Sequence, residues 1–229
     1  MARRLILWDI DGTLVRAGDV GGRVFEVALE RVLGRRPQAR VAMSGKTDPQ
    51  IAREFLVAMA EDDMTLLPLV LEHLERELAA AAEEIATLGA ACHGAEAVVA
   101  ALAAVPEVHQ SVLTGNLAAN ALVKLAAFGL DRHLDLEGGA FGSDEEDRCL
   151  LVPVALGRQR ERGRRFTPEE TWIVGDSPRD LECARAGGAH CLLVGTGRYP
   201  LDELAPLGAD HALADLGDLD EVLGILLPA

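Results

Sequence analysis

The sequence predicts an α/β protein, in which a doubly wound parallel sheet forms a core and an α-helical segment is inserted after the first strand. Three observations predict it. Short apolar runs such as Leu5-Ile6-Leu7-Trp8 and Thr171-Trp172-Ile173-Val174 fit strands buried on both faces. From Gly94 onward such runs alternate with segments of helical periodicity. The stretch from about Gly18 to Thr87 carries helical spacing and no convincing strand. The expected boundaries place the core in residues 1–17 and 90–229 and the insertion in residues 18–89, hinged at Gly18 to Gly22 and Gly89 to Gly94. A chain of 229 residues is long enough for one large domain of this kind.

Taken in order, the first strand ends in Asp9-Ile10-Asp11-Gly12-Thr13, where Gly12 permits a sharp exit. Val24, Phe25, Ala28, Leu29, Val32 and Leu33 recur at helical spacing, and Gly34 is placed to end that helix. Asp48 reads as an N-cap with Pro49 at the first helical position, opening a helix to about Met59. Thr65 to Leu88 reads as one long amphipathic helix, so the insertion is expected to hold three. Its many Glu residues read as a solvated face. A helix over about Ala95 to Ala104 stops before Pro106, and the strand Val108 to Leu113 leads into Thr114-Gly115-Asn116. The next helix covers about Leu117 to Phe128. An irregular glycine-containing segment precedes a helix near Arg148 to Arg162, whose arginine run reads as a solvated helix end. After the strand at Thr171 come a helix (about Pro178 to Ala186), the strand Cys191 to Val194, a short strand near His211 and a terminal helix.

Composition narrows the function classes. With 49% hydrophobic and 26% charged residues the chain is ordinary for a packed globular protein. The longest apolar run, Ala97 to Val105, is well short of the roughly 18 residues of a membrane helix. A net charge of −15 argues against sequence-independent binding to nucleic acid or an anionic membrane. The four cysteines lack Cys-x-x-Cys spacing and read as reduced thiols. With no secretory signal evident, a cytoplasmic location is expected.

The chemistry lies at strand ends. Parallel strands share one direction, so Asp9/Asp11, Thr114/Asn116 and Asp176/Asp180 fall on one rim, where such sheets bind ligands. A single Asp before a helix is an ordinary cap, but four on one rim are not explained by capping. Close carboxylates repel and are costly to bury without a cation, and a hard divalent ion, Mg²⁺ best, fits them. The Thr114 hydroxyl and the N–H groups at the following helix start read as an anion site. A metal beside an anion site points to phosphoryl chemistry.

Asp9-Ile10-Asp11-Gly12-Thr13, Thr114-Gly115-Asn116 and Gly175-Asp176-Ser177-Pro178-Arg179-Asp180 resemble motifs one, two and four of the haloacid dehalogenase-like hydrolase superfamily. The insertion resembles the helical cap of its phosphoglycolate phosphatase-like branch. The resemblance implies a Rossmann-like core and a Mg²⁺-dependent phosphatase. Asp9 would be the nucleophile and Asp11 the acid and base. Asp9, Asp11 (through its backbone carbonyl) and Asp176 would hold the metal, with Asp180 assisting directly or by orienting its neighbours. Thr114, Gly115 and Asn116 would hold phosphoryl oxygens. Motif three ordinarily supplies a lysine; in its place stands Asp144-Glu145-Glu146-Asp147-Arg148, and the role is assigned to Arg148. Lys124 is the other candidate, although its plainer reading is an exposed helix lysine.

Gly45-Lys46-Thr47 is not a nucleotide-binding P-loop, because the required glycine is replaced by Arg40. In capped relatives a cap loop helps to choose substrate, so Lys46 is a candidate to meet a second anionic group. The expected partner is a small phosphorylated metabolite, with phosphoglycolate the default of the branch, and the chain acting as a monomer or homodimer. Two other readings are a β-phosphoglucomutase-like phosphomutase on the same scaffold and a non-enzymatic receiver-like phospho-acceptor. Asp11 stands against a dehalogenase.

Overall fold

The computed structural model describes residues 3–228. In chain order the strands are β1 (Arg4–Trp8), β2 (Val15–Arg16), β3 (Ala90–Ala91), β4 (Val108–Thr114), β5 (Ala140–Phe141), β6 (Thr171–Gly175), β7 (His190–Val194) and β8 (His211–Leu213). Six of them form a parallel sheet in the order β5-β4-β1-β6-β7-β8. The order reverses beside β1, which places its carboxyl end at the crevice where open α/β sheets bind ligands. The alternation of β1 explains the two layers. Leu5 and Leu7 enter one apolar cluster, Ile6 and Trp8 the other, and all four are fully buried. Burial of each such side chain contributes about 1.5–3 kcal/mol.

Helices α1 (Val20–Leu33), α2 (Asp48–Ala58), α3 (Leu67–Ala80) and α4 (Ala82–Leu88) make up the insertion, and they pack around an apolar cluster of their own that includes Phe25, Leu29, Phe55 and Leu74. Helices α5 (Ala95–Ala103), α6 (Ala118–Ala126), α7 (Leu151–Glu161), α8 (Pro178–Gly187), α9 (Leu201–Leu204) and α10 (Leu219–Leu226) accompany the sheet. No helix among the described residues is long and apolar enough to cross a membrane.

Three local expectations are corrected, and one pairing is new. The long helix predicted from Thr65 is a short 3₁₀ turn followed by two helices, broken at Ala81, so the insertion has four helices rather than three. The hinge expected at Gly18 to Gly22 is shorter, because Gly21 and Gly22 lie inside α1. The two crossings between insertion and core are zipped by β2 and β3, which pair antiparallel through Val15 with Ala91 and Arg16 with Ala90. Two-residue strands leave no periodicity to detect. The arginine run at the end of α7 is in part ion-paired, while Arg160 and Arg165 are exposed as expected. Arg158 forks onto Asp144 at 2.7 and 2.6 Å, and Arg162 and Arg164 both meet Asp135.

Asp135 ties the loop after α6 to the sheet. Its carboxylate faces His109 at 3.0 Å as well as the two arginines, and its backbone N–H donates to the Gln110 carbonyl at 2.9 Å. Burial alone would raise its pKa, but hydrogen bonds from Arg164 and His109 and the charge of Arg162 outweigh burial and hold it at about 2. A depressed carboxyl stabilises the fold above its ordinary value of 3.8, and that stability is lost as pH falls through the folded value. Solvent screening leaves about 1 kcal/mol of it at pH 7. Urea unfolding of Asp135→Asn is therefore expected to show a deficit of that size at pH 7 and about half of it at pH 3. A deficit that does not change with pH would contradict the assignment.

Candidate active site

The loop after β1 delivers Asp9 and turns back at Gly12, whose φ of +86° suits glycine alone among common residues. A Cβ there would also lie 2.6 Å from Asp176 Oδ2, so glycine lets this loop rest against the loop after β6. Asp176 follows β6, and Asp180 occupies the first turn of α8, where its Oδ2 accepts from Ser177 N at 3.0 Å and Ser177 Oγ at 2.7 Å. One carboxylate oxygen each of Asp9, Asp176 and Asp180 lie within 4.8 Å of one another, and all three residues are buried. Burial, opposed by Arg148 and reinforced by Asp180 and Asp11, pushes Asp9 up to about 6. Burial together with Asp180 and Asp9 pushes Asp176 up to about 8. Among the described residues nothing donates a hydrogen bond to the Asp176 carboxylate, so a buried acid stands there without a partner of its own.

Arg148 stands where the sequence reading put it. It opens a 3₁₀ turn before α7, and its side chain is 4% exposed. One guanidinium nitrogen lies 3.1 Å from Asp9 Oδ1 and 2.6 Å from Asp180 Oδ1. Burial would lower its pKa, but the charges of Asp180 and Asp9 outweigh burial and raise it, so it remains a cation. Asp180 therefore spends one oxygen on Arg148 and the other on Ser177, which makes it an orienting residue more than a free ligand.

Lys124 is not the exposed helix lysine of the plainer reading. It is buried, its ammonium lies 2.8 and 2.6 Å from the two oxygens of Asp11, and it donates to Asn116 Oδ1 at 2.6 Å. The Asn116 amide in turn donates to Asp11 Oδ2 and to Thr114 Oγ1, both at 2.8 Å. The half-exposed Asp11 is thus held from one side by Lys124 and Asn116, with Thr114 behind Asn116. Asn120 and Lys124 are four residues apart and share one face of α6, which is the signal that could have placed both inward.

Of the expected anion site, the N–H groups of Leu117 and Ala118 at the start of α6 are taken from within, while Thr114, Gly115 and Asn116 still line the cavity. Asp48 is not the cap of α2. Thr47 is, accepting from Gln50 N at 3.3 Å, and this frees the Asp48 side chain. Its Oδ2 accepts from Leu117 N at 2.8 Å and from Asn120 Nδ2 at 3.1 Å, so the N–H end of α6 is occupied by a carboxylate from the insertion. Ala118 N–H is also taken, by Ser143 Oγ at 3.3 Å. Burial raises the Asp48 pKa, against the lowering charge of Lys124 and the Leu117 N–H. Lys46 stands at the same junction with its ammonium on Glu54. A Cβ at Gly115 would overlap the Lys46 carbonyl, so that glycine is what lets the two backbones approach.

These residues enclose a cavity of about 210 Å³ between insertion and sheet. Asp9, Asp11, Thr114, Gly115, Asn116 and Arg148 line its floor, Lys46, Lys124 and Asp48 stand beside them, and Phe25, Met43 and Ile51 form an apolar side. The structure brings every sequence-predicted site residue to this cavity or, for Asp176 and Asp180, to the carboxylate cluster beside it. Asp48 and Asn120 were missed as site residues.

The profile of the haloacid dehalogenase-like hydrolase family matches residues 6–185. The chain belongs to that family. Solved structures agree on the fold. CbbY from Rhodobacter sphaeroides, solved in complex with phosphate, is 21% identical with a TM-score of 0.72, covering 95% of this chain and 96% of its own. A predicted phosphoglycolate phosphatase from Haemophilus somnus is 18% identical with a TM-score of 0.69, covering 97% of this chain and 98% of its own. A hydrolase from Pseudomonas syringae is 18% identical with a TM-score of 0.72, covering 99% and 100%. At these identities the likeness speaks for the fold alone. A search of curated proteins finds no match to this chain.

Arg148 is the least conventional member of this site and gives a direct test. Arg148→Met strips two buried carboxylates of their cation and is expected to cost about 3–5 kcal/mol in urea unfolding measured in EDTA. Arg148→Lys should recover part of the loss. A cost below about 1 kcal/mol for the Met variant would mean the cluster does not depend on this cation.

Proposed function

We propose that the chain is a Mg²⁺-dependent phosphomonoester hydrolase that acts on a small phosphorylated metabolite through an aspartyl-phosphate at Asp9. The observation that carries this reading is the buried convergence of Asp9, Asp176 and Asp180 with Arg148 bound between two of them. Three buried acids against one side-chain cation leave an excess of negative charge that a divalent ion would offset. The unpartnered Asp176 carboxylate is the donor such an ion needs. Asp9 and Asp176 would hold Mg²⁺ with the backbone carbonyl of Asp11, and Asp180 would orient Arg148 beside them. When bound, the ion supplies charge neutralisation at the phosphoryl group.

Arg148 engages Asp9 Oδ1 and leaves the second oxygen of that carboxylate to attack phosphorus. The bond from phosphorus to the alcohol oxygen breaks, and Asp11 donates a proton to that oxygen. Asp11 then takes a proton from water, whose oxygen attacks the aspartyl-phosphate, releases inorganic phosphate and restores Asp9. Lys124 and Asn116 keep Asp11 aimed for both transfers. The Thr114 hydroxyl, Gly115 and the Asn116 amide line the place where phosphoryl oxygens would sit. Residues 18–89 act as a cap over the core formed by residues 1–17 and 90–229, excluding water from the reaction. The phosphate-bound neighbour of the same fold supports this reading.

Release of phosphate from a panel of small phosphomonoesters tests it. The wild type with Mg²⁺ should turn over many times per chain with no isomer formed, and EDTA should stop it. Asp9→Asn should lower kcat on the order of 10³-fold or more. Phosphate release that survives the Asn exchange would overturn the nucleophile assignment, and a single phosphate per chain would favour a phospho-acceptor. Lys46→Ala should raise KM about 3- to 10-fold with kcat nearly unchanged. An unchanged KM would remove Lys46 from substrate binding.

A further inference from the structure

The cavity wall holds many charges, yet each positive group on it is already answered by an internal carboxylate. Lys46 is paired with Glu54, which also accepts from Gln50 Nε2 at 3.1 Å. Lys124 is paired with Asp11, and Arg148 with Asp9 and Asp180. The N-terminus of α6, the remaining electropositive feature, is occupied by Asp48. Among the described residues no cation lining the cavity is left without such a partner. The lining also includes the apolar side chains of Phe25, Met43 and Ile51.

We propose that this cavity selects phosphomonoesters whose alcohol part is uncharged, and rejects those whose alcohol part carries a carboxylate or a second phosphate. The proposal rests on the phosphatase reading above and adds the substrate class. The physical reason is the charge already present. Asp9, Asp11, Asp48, Asp176, Asp180 and Glu54 face Lys46, Lys124 and Arg148, so the acids outnumber the cations before substrate arrives. With all six acids ionised, a divalent ion narrows that excess from three charges to one, and the phosphoryl group widens it again. A second anion would therefore enter against like charge and without a donor of its own. Hydroxyl groups meet no such penalty, because they bring no charge and find donors such as Lys46 and acceptors such as Asp48 in the lining. The cavity, at about 210 Å³, falls below the roughly 300–1,000 Å³ of sites for drug-sized ligands, so the alcohol is small. Lys46 and Asp48 are the specificity-determining residues, and Glu54 acts through Lys46 by neutralising its ammonium.

The test compares two esters of equal size, phosphoglycolate and the phosphate ester of glycolamide, which differ by a carboxylate against a neutral amide. The wild type with Mg²⁺ is expected to show kcat/KM at least 10-fold higher for the amide. Glu54→Gln leaves the Lys46 ammonium unpaired while keeping the side-chain shape, and Glu54 is partly exposed, so folding is not at risk. In that variant the ratio should move at least 10-fold toward phosphoglycolate, through a lower KM for the carboxylate ester. A wild-type preference for phosphoglycolate, or a ratio that Glu54→Gln leaves in place, overturns the proposal while the phosphatase reading stands. Absence of phosphate release from both esters and from p-nitrophenyl phosphate overturns the phosphatase reading, and this proposal with it.

Discussion

A guanidinium shut away from solvent, lying between carboxylates from two strand ends, holds this site together. Arg148 costs several kcal/mol to bury, and so do Asp9 and Asp180, unless each is met by opposite charge at close range. The distances of 3.1 and 2.6 Å supply that meeting. Either acid alone would leave the cation short, and the cation's loss would leave two like charges facing each other. The loop after β1, the first turn of α8 and the 3₁₀ turn before α7 are therefore fixed relative to one another by a single side chain. An arrangement of this kind is organised before substrate arrives, so little reorganisation remains for the moment of reaction.

The same segment that carries Arg148 also receives the helical insertion. Glu146, two residues earlier, forks onto Arg53 of α2 at 2.7 and 2.8 Å, and its carbonyl accepts from Thr47 Oγ1 at 2.8 Å. Asp48 meets the end of α6 on the other side of the cavity, and its N–H donates to the Gly115 carbonyl at 2.7 Å. Docking of the insertion and placement of the buried cation are thus coupled through residues 146–148.

The sheet was legible because buried parallel strands read as continuous apolar runs, and the polar clusters at their ends follow from strand direction alone. Asp9, Asp176 and Asp180 converge as that logic requires. Arg148 was legible from its position before a helix, although its residue type departs from the expected lysine. What escaped depends on contacts between segments distant in sequence. Asp48 looks like a helix cap, because a carboxylate before proline ordinarily is one, and only the fold reveals that Thr47 takes the cap and Asp48 crosses to α6. Lys124 looks like a surface lysine until Asp11 is seen beneath it. The two-residue strands β2 and β3 carry too little sequence for any period to show.

The partnerless Asp176 carboxylate beside this bound cation could hold a second, divalent one together with Asp9. The most direct measurement is a crystal structure of the protein grown with Mg²⁺. The expected result is a single ion with oxygens of Asp9 and Asp176 at about 2.0–2.1 Å and Arg148 still seated on Asp180. An ion bound elsewhere, or Asp9 and Asp176 splayed too far apart to share one, would contradict it.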